Sequence, residues 1–132
     1  MTIELTYLTL TTLLAASLWI PFVIGVNTTT FERPEENRPP DPAAMSAWVH
    51  RAYRAHLNLM EQFPPFAAIV LVAHMAGVST MVTVVATAAF FWLRLAQAIW
   101  MVGDFPQIPV RPIIFTSAWI CILLIGWQII AA

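Results

Sequence analysis

Four polar side chains recur at helical spacing inside a strongly apolar stretch, at Arg51, Arg54, Asn58 and Glu61. Their spacing of 3, 4 and 3 residues places them within about 80° of one helical face. All six basic residues of the chain are arginines, and a guanidinium offers a rigid fork of donors that stays charged when it is partly desolvated. This face is therefore a candidate binding site for an anion.

The chain offers neither a metal-ligand pattern nor a protein nucleophile. Its three histidines lack the spacing of a metal-binding set, and its one cysteine, Cys121, lies in an apolar segment. It contains no serine nucleophile motif and no glycine-rich phosphate loop. Any chemistry at the arginine-rich face would therefore depend on a nucleophile brought by a cofactor.

The composition is typical of a membrane protein. Of the 132 residues, 60% are hydrophobic and 10% are charged, far from the average of soluble domains. The net charge of −1 excludes the basic footprint of a nucleic-acid-binding protein. We therefore expect a multi-pass integral membrane protein surrounded by membrane lipids.

The apolar runs predict a single domain over residues 1–132, an all-α bundle of four membrane-spanning helices. Pro21 should bend the first helix, and Pro64 and Pro65 should interrupt the hydrogen bonds of the second and kink it beside the polar cluster. Asp41 and Pro42 form a typical helix start, with a carboxylate N-cap and a proline at the first helical position. The predicted helices are residues 5–26, 42–76, 80–102 and 112–131, and the predicted polar loops are residues 27–41 and 103–111.

The arginines also predict the orientation of the bundle. The two polar loops carry the arginines that lie outside the predicted helices, whereas the N-terminus, the turn at residues 77–79 and the C-terminus carry none. By the positive-inside rule, both loops are cytoplasmic and both termini are outside. The third helix then brings Arg94 and Gln97 to the level of Asn58, and Arg111 precedes the fourth helix on the same side.

Positive charge exceeds negative charge at this level, because four arginines face only Glu61 and Asp104. Ionisable groups at membrane depth cost about 2.5–3.5 kcal/mol each to insert, so they normally face the protein interior and mark function. A bound carboxylate or thiolate would balance the excess. The residues leave an alternative open, in which Arg54 and Glu61 form an ion pair that fixes helix packing while Arg51 reaches the headgroups.

Residues 54–61, RAHLNLME, resemble the RAHxNxxE segment of the membrane-associated proteins in eicosanoid and glutathione metabolism, the MAPEG family. The similarity continues through Phe63-Pro64-Pro65-Phe66 and Pro109-Val110-Arg111, so the whole chain resembles a small bacterial member. The resemblance implies a homotrimer in the bacterial inner membrane, with sites between subunits near the cytoplasmic side. There glutathione would attack or reduce a lipophilic substrate that arrives through the bilayer.

The resemblance also implies a role for each matching residue. Arg111 would be catalytic, holding the thiolate of glutathione by its positive charge. The implied cofactor-binding residues are Arg51, Arg54, Asn58, Glu61, Arg94 and Gln97.

Leu57, Gln97 and Met101 stand where glutathione-using relatives carry arginine, histidine and tyrosine. Each missing charge-assisted bond is worth about 1.5–3 kcal/mol, so another low-molecular-weight thiol stays open as the cofactor. The family also contains a non-catalytic, lipid-binding activator of a lipoxygenase, so fold does not settle activity. Two functions therefore remain: a thiol-dependent transferase or peroxidase acting on lipophilic electrophiles, and a non-catalytic lipid-binding or scaffold protein.

Overall fold

The computed structural model describes residues 1–35 and 38–132, and every regular element in those ranges is helical. The elements are α1 (Ile3–Ser17), α2 (Ile20–Thr28), a 3₁₀ turn (Pro42–Ala44), α3 (Ala47–Met75), α4 (Met81–Val102) and α5 (Val110–Ile130). The all-α prediction and its four helical segments are confirmed, with α1 and α2 together forming the first segment. The predicted loop at residues 27–41 includes Glu36 and Asn37, which lie outside the described residues.

Pro21 divides the first segment, close to where the sequence predicts a bend. α1 ends at Ser17, and α2 begins at Ile20 with Pro21 in its first turn. Proline has no N–H to donate to the carbonyl four residues earlier, which here belongs to Ser17. Helix then continues to Thr28, two residues into the predicted loop.

The α-helix of the second segment begins later than predicted. The carboxylate of Asp41 accepts a hydrogen bond from the N–H of Ala43 at 2.9 Å, but the turn that it caps is 3₁₀ and ends at Ala44. α3 starts at Ala47 and runs through Pro64 and Pro65 to Met75. The second segment is therefore one helix through both prolines, as predicted, and both are exposed on the side of the helix; the kink expected at them stays a prediction.

A tight turn at Gly77 joins α3 to α4. Gly77 has φ +71°, a left-handed conformation that glycine adopts without a Cβ clash. The N–H of Val78 donates to the carbonyl of Ala73 at 2.9 Å, and that of Gly77 donates to His74 at 3.1 Å. These two bonds make a Schellman motif, which satisfies carbonyls at the end of α3 and sends α4 back alongside it.

α3 and α4 lie at the centre of the bundle: they pack against each other and each packs against α1 and α5, while α2 packs on α3. The rings of Phe66 in α3 and Phe90 in α4 stack in the core with centroids 3.8 Å apart. Near the other end, Gly25 in α2 approaches α3 so closely that an added Cβ would lie 2.5 Å from a methyl group of Val49. α5 begins at Val110, two residues before the predicted start, which puts Arg111 in its first turn.

Three helical segments are long and apolar enough to cross a membrane: Ile3–Thr28, Met81–Val102 and Val110–Ile130. α3, which carries Arg51, Arg54 and Glu61, falls outside this set. These three candidate spans support the prediction of a membrane protein. A fourth span through α3 stays a prediction.

Candidate functional site

The predicted polar face of α3 is partly buried in the protein and partly exposed at its surface. Asn58 points inward with 4% of its surface exposed, whereas Arg54 and Glu61 are exposed and Arg51 is half-buried. The four residues share one side of the helix, and among the described residues Asn58 is the one of them that is hydrogen-bonded to α4 and α5.

Arg94 is the largest fully buried side chain in the described part of the protein, with 2% of its surface exposed. Its guanidinium donates to the main-chain carbonyl of Asn58 and to the side-chain oxygen of Gln97. Its central carbon lies 5.4 Å from the centre of the Phe115 ring, a distance at which a cation is attracted to the ring face. Arg94 thus ties α4 to α3 and also contacts α5.

Arg111 reaches the same asparagine from α5. Its terminal nitrogen donates to the side-chain oxygen of Asn58 at 3.4 Å, and the asparagine amide donates in turn to the carbonyl of Arg54 at 2.8 Å. Asn58 therefore joins three helices, with its main chain bound by Arg94 and its side chain by Arg111. This is the level at which the sequence predicts that Arg94, Gln97 and Arg111 converge on the second segment.

A cleft of about 410 Å³ opens beside Asn58 and Arg111, and we call it the Asn58–Arg111 cleft. Its lining residues are Asn58, Glu61, Gln107, Ile108, Arg111, Pro112 and Phe115. Arg111 and Glu61 give it one positive and one negative group between apolar walls. Arg94 and Gln97 do not line it; they lie buried behind it. Arg51 and Arg54 are also absent from its lining.

Most of the arginine charge at this level lacks a carboxylate partner. Over residues 1–35 and 38–132, the only ion pair within 4.0 Å joins Arg51 to Asp104, at 3.4 Å. The alternative pairing of Arg54 with Glu61 is therefore not formed within the described chain. Arg94 and Arg111 have neutral partners only, so the positive charge beside the cleft is available to a bound anion.

Five lining or supporting residues escaped the sequence analysis: Gln62, Gln107, Ile108, Pro112 and Phe115. The amide of Gln62 donates to the carbonyl of Phe115 at 3.1 Å, tying α3 to α5. Gln107 and Phe115 line the cleft. Gln62 lies four residues after Asn58, and that spacing could have placed it on the same helical face. Only the fold shows that Gln107 and Phe115 lie at the cleft.

Three apolar spanning segments, packed with a helix that carries buried polar groups, define a helical membrane protein with a cleft at one end of its bundle. Comparison with known families then assigns the chain. The sequence model of the MAPEG family matches residues 6–131, nearly the whole chain, so the protein belongs to the MAPEG family. A search of curated proteins found no match. The predicted family is thus confirmed.

Proposed function

We propose that this protein is an integral membrane transferase or peroxidase that uses glutathione, or another low-molecular-weight thiol, on lipophilic electrophiles. One observation carries the proposal: Arg111 stands half-buried at the Asn58–Arg111 cleft with a neutral amide as its partner. A guanidinium in such a place stabilises a thiolate, because a positive charge within a few ångströms favours the ionised form of a thiol. The apolar walls strengthen that attraction by excluding water.

The charges of the cleft suit a ligand that carries both signs. Arg111 would take the thiolate or a carboxylate, and Glu61 would take an ammonium group. Arg54 lies one helical turn before Asn58 and is exposed, so it is free to hold a second carboxylate. Glutathione carries all three kinds of group, and a shorter thiol would use fewer of these contacts.

Arg94 and Gln97 support the cleft from behind in this proposal. Because Arg94 binds the main chain of Asn58, it fixes the position of α3 opposite Arg111. Its guanidinium also adds positive charge next to Phe115, one of the cleft walls. Direct contact of Arg94 or Gln97 with the cofactor would need the buried pair to open toward the ligand.

We further propose a homotrimer in the bacterial inner membrane, with the cleft on the cytoplasmic side and both termini outside. Arg54 and Glu61 are charged and exposed beside the cleft, where a second copy of the chain would cover them and complete the site. α3 would be the fourth span, since it packs against α1, α4 and α5 and buries side chains from Val49 to Ala73. That stretch is about 36 Å long at 1.5 Å per residue, enough for the hydrocarbon core.

A second function has its own support. Both terminal nitrogens of the Arg94 guanidinium already have protein acceptors, in Gln97 and Asn58, as in a structural network between helices. In that case the protein would be a non-catalytic lipid-binding or scaffold member of its family, and the cleft would hold no thiol.

A thiol titration separates the two functions. Purified protein in neutral detergent is titrated with glutathione, and thiolate absorbance and heat of binding are recorded near neutral pH. We expect a saturable thiolate signal that Arg111→Gln removes and that the control Glu32→Gln, at an exposed carboxylate of the first loop, keeps. Unchanged absorbance with no heat of binding, repeated with cysteine as a smaller thiol, would favour the non-catalytic function.

A further inference from the structure

A second cavity lies at the opposite end of the bundle, where α1 begins and α3 turns into α4. It has a volume of about 240 Å³, and we call it the Glu4 pocket. Its lining residues are Thr2, Glu4, Val70, Ala73, His74, Gly77, Val78, Ser79, Thr83, Thr87 and Ile125. None of these residues belongs to the Asn58–Arg111 cleft, so the thiol chemistry proposed above does not use them.

Glu4 is a buried carboxylate, with 7% of its surface exposed. One of its oxygens, Oε1, accepts hydrogen bonds from the hydroxyls of Ser79 at 2.8 Å and Thr83 at 2.9 Å. Within the described residues no hydrogen bond to its second oxygen, Oε2, is formed. The hydroxyl of Thr2 and the main-chain N–H of Glu4 also lie close to the carboxylate, but neither forms a hydrogen bond to Oε2 within the described residues, so this oxygen can accept from a ligand at the pocket.

Glu4 has no ion-pair partner among the described residues. It lies in the first turn of α1, and Thr83, which binds it, lies in the first turn of α4. The partial positive charges at two helix N-termini stabilise an anion there. No arginine lines the pocket, and in the described residues no ion pair to Glu4 lies within 4.0 Å. His74 is the other ionisable side chain of the lining.

We propose that the Glu4 pocket binds a small organic ammonium group carried on an apolar body. The free carboxylate oxygen would accept from the ammonium, and Val70 and Ile125 supply apolar wall for the body. Size agrees with this class, since an apolar cavity of about 150 Å³ is enough for benzene. A primary ammonium can come from a free amine or from the ethanolamine headgroup of a lipid, and both present the same chemistry.

The test compares two probes of equal shape, 4-fluorophenethylamine and 4-fluorophenethyl alcohol, by fluorine NMR with the purified protein in neutral detergent. The amine should bind at least about tenfold more tightly than the alcohol, because it makes a charge-assisted hydrogen bond. Glu4→Gln keeps an oxygen for Ser79 and Thr83 but removes the charge, so it should abolish the preference. Glu61→Gln, which changes the carboxylate of the other cleft, should leave it intact.

If Glu4→Gln fails to fold, the comparison of amine and alcohol affinity in the unmodified protein and in Glu61→Gln still tests the proposal. Equal affinity for amine and alcohol, or no saturation by the amine, would overturn the proposal, as would a preference that Glu61→Gln abolishes. Lipid nanodiscs then separate the two sources of the ligand. Competition by phosphatidylethanolamine but not by phosphatidylcholine supports a lipid headgroup, and undiminished amine binding in both supports a free amine.

Discussion

Arg111 donates to the side-chain oxygen of Asn58 at 3.4 Å, across the contact between α5 and α3. That distance is long for a hydrogen bond, whose N···O separation usually lies at about 2.7–3.2 Å. Arg94, by contrast, is enclosed and bound to the main chain of the same asparagine. One arginine is thus held loosely at the cleft and the other firmly behind it, which assigns them different roles.

Replacing Arg111 by alanine should remove activity and leave the fold. The side chain is half-buried and makes one weak contact, so the midpoint of thermal unfolding in detergent should change little. If Arg111 stabilises the thiolate, turnover of a lipophilic electrophile should fall about 100-fold or more, as when one preorganised donor is removed from a reaction site. Arg111→Lys, which keeps the charge without the fork, should recover part of it. Loss of the assembled state together with activity would instead identify a structural residue.

Replacing Arg94 by alanine should destabilise the protein itself. The change empties a buried volume and leaves the oxygen of Gln97 without its donor, a combination that costs at least about 2 kcal/mol. Thermal unfolding should show the loss, and Arg94→Lys should recover only part of it. A variant as stable as the parent but unable to bind the thiol would show that Arg94 contacts the cofactor directly.

Two glycines form a matched pair for testing helix packing. A Cβ at Gly25 would lie 2.5 Å from a Val49 methyl group and 3.0 Å from Trp48, whereas one at Gly126 would meet its nearest atom at 3.7 Å. Val49 is fully buried and has little room to move. Gly25→Ala should therefore lower stability by about 1–3 kcal/mol through overpacking, while Gly126→Ala should be neutral or mildly stabilising. Equal effects on thermal unfolding would contradict the close approach of α2 to α3.

The exposed charges on α3 should act through assembly. Arg54→Ala or Glu61→Ala removes a side chain that has no ion-pair partner among the described residues, so the helix content of one chain should not change. If a second copy covers these groups, each variant should lower the oligomeric mass measured by light scattering, because a buried partner charge is left uncompensated. Glu32→Ala removes an exposed carboxylate of the first loop and should keep the parent mass.

The apolar runs and prolines were enough to predict the helical segments, because burial in lipid demands long apolar helices and proline disrupts their hydrogen bonds. They did not predict that Asp41 caps a 3₁₀ turn, since capping chemistry is the same for either helix. The helical period of α3 placed Arg54, Asn58 and Glu61 on one side of the helix. It could not show which of them are buried and which are exposed. That difference depends on how α4 and α5 pack, which no local pattern records.

Glu4 was missed for a related reason. It is a lone acidic residue in its segment, and its partners Ser79 and Thr83 lie 75 and 79 residues away along the chain. Only the return of α4 beside α1 brings them together. The convergence of Arg94 and Arg111 could be predicted because antiparallel spans of similar length align their ends, whereas the Glu4 pocket depends on side-chain placement within one turn.

The position of the Gly77 turn also determines which residues of α3 and α4 lie side by side. Asn58 lies 17 residues before Met75, where α3 ends, and Arg94 lies 13 residues after Met81, where α4 begins, which at 1.5 Å per residue gives about 26 Å and about 20 Å along the two antiparallel helices. The hydrogen bond from Arg94 to the Asn58 carbonyl therefore depends on the lengths of the two helices that leave the turn at the far end of the bundle. One residue inserted within α4 between Met81 and Arg94 would rotate the arginine by about 100° and advance it by about 1.5 Å, so the length of this part of α4 is constrained as strictly as residue type.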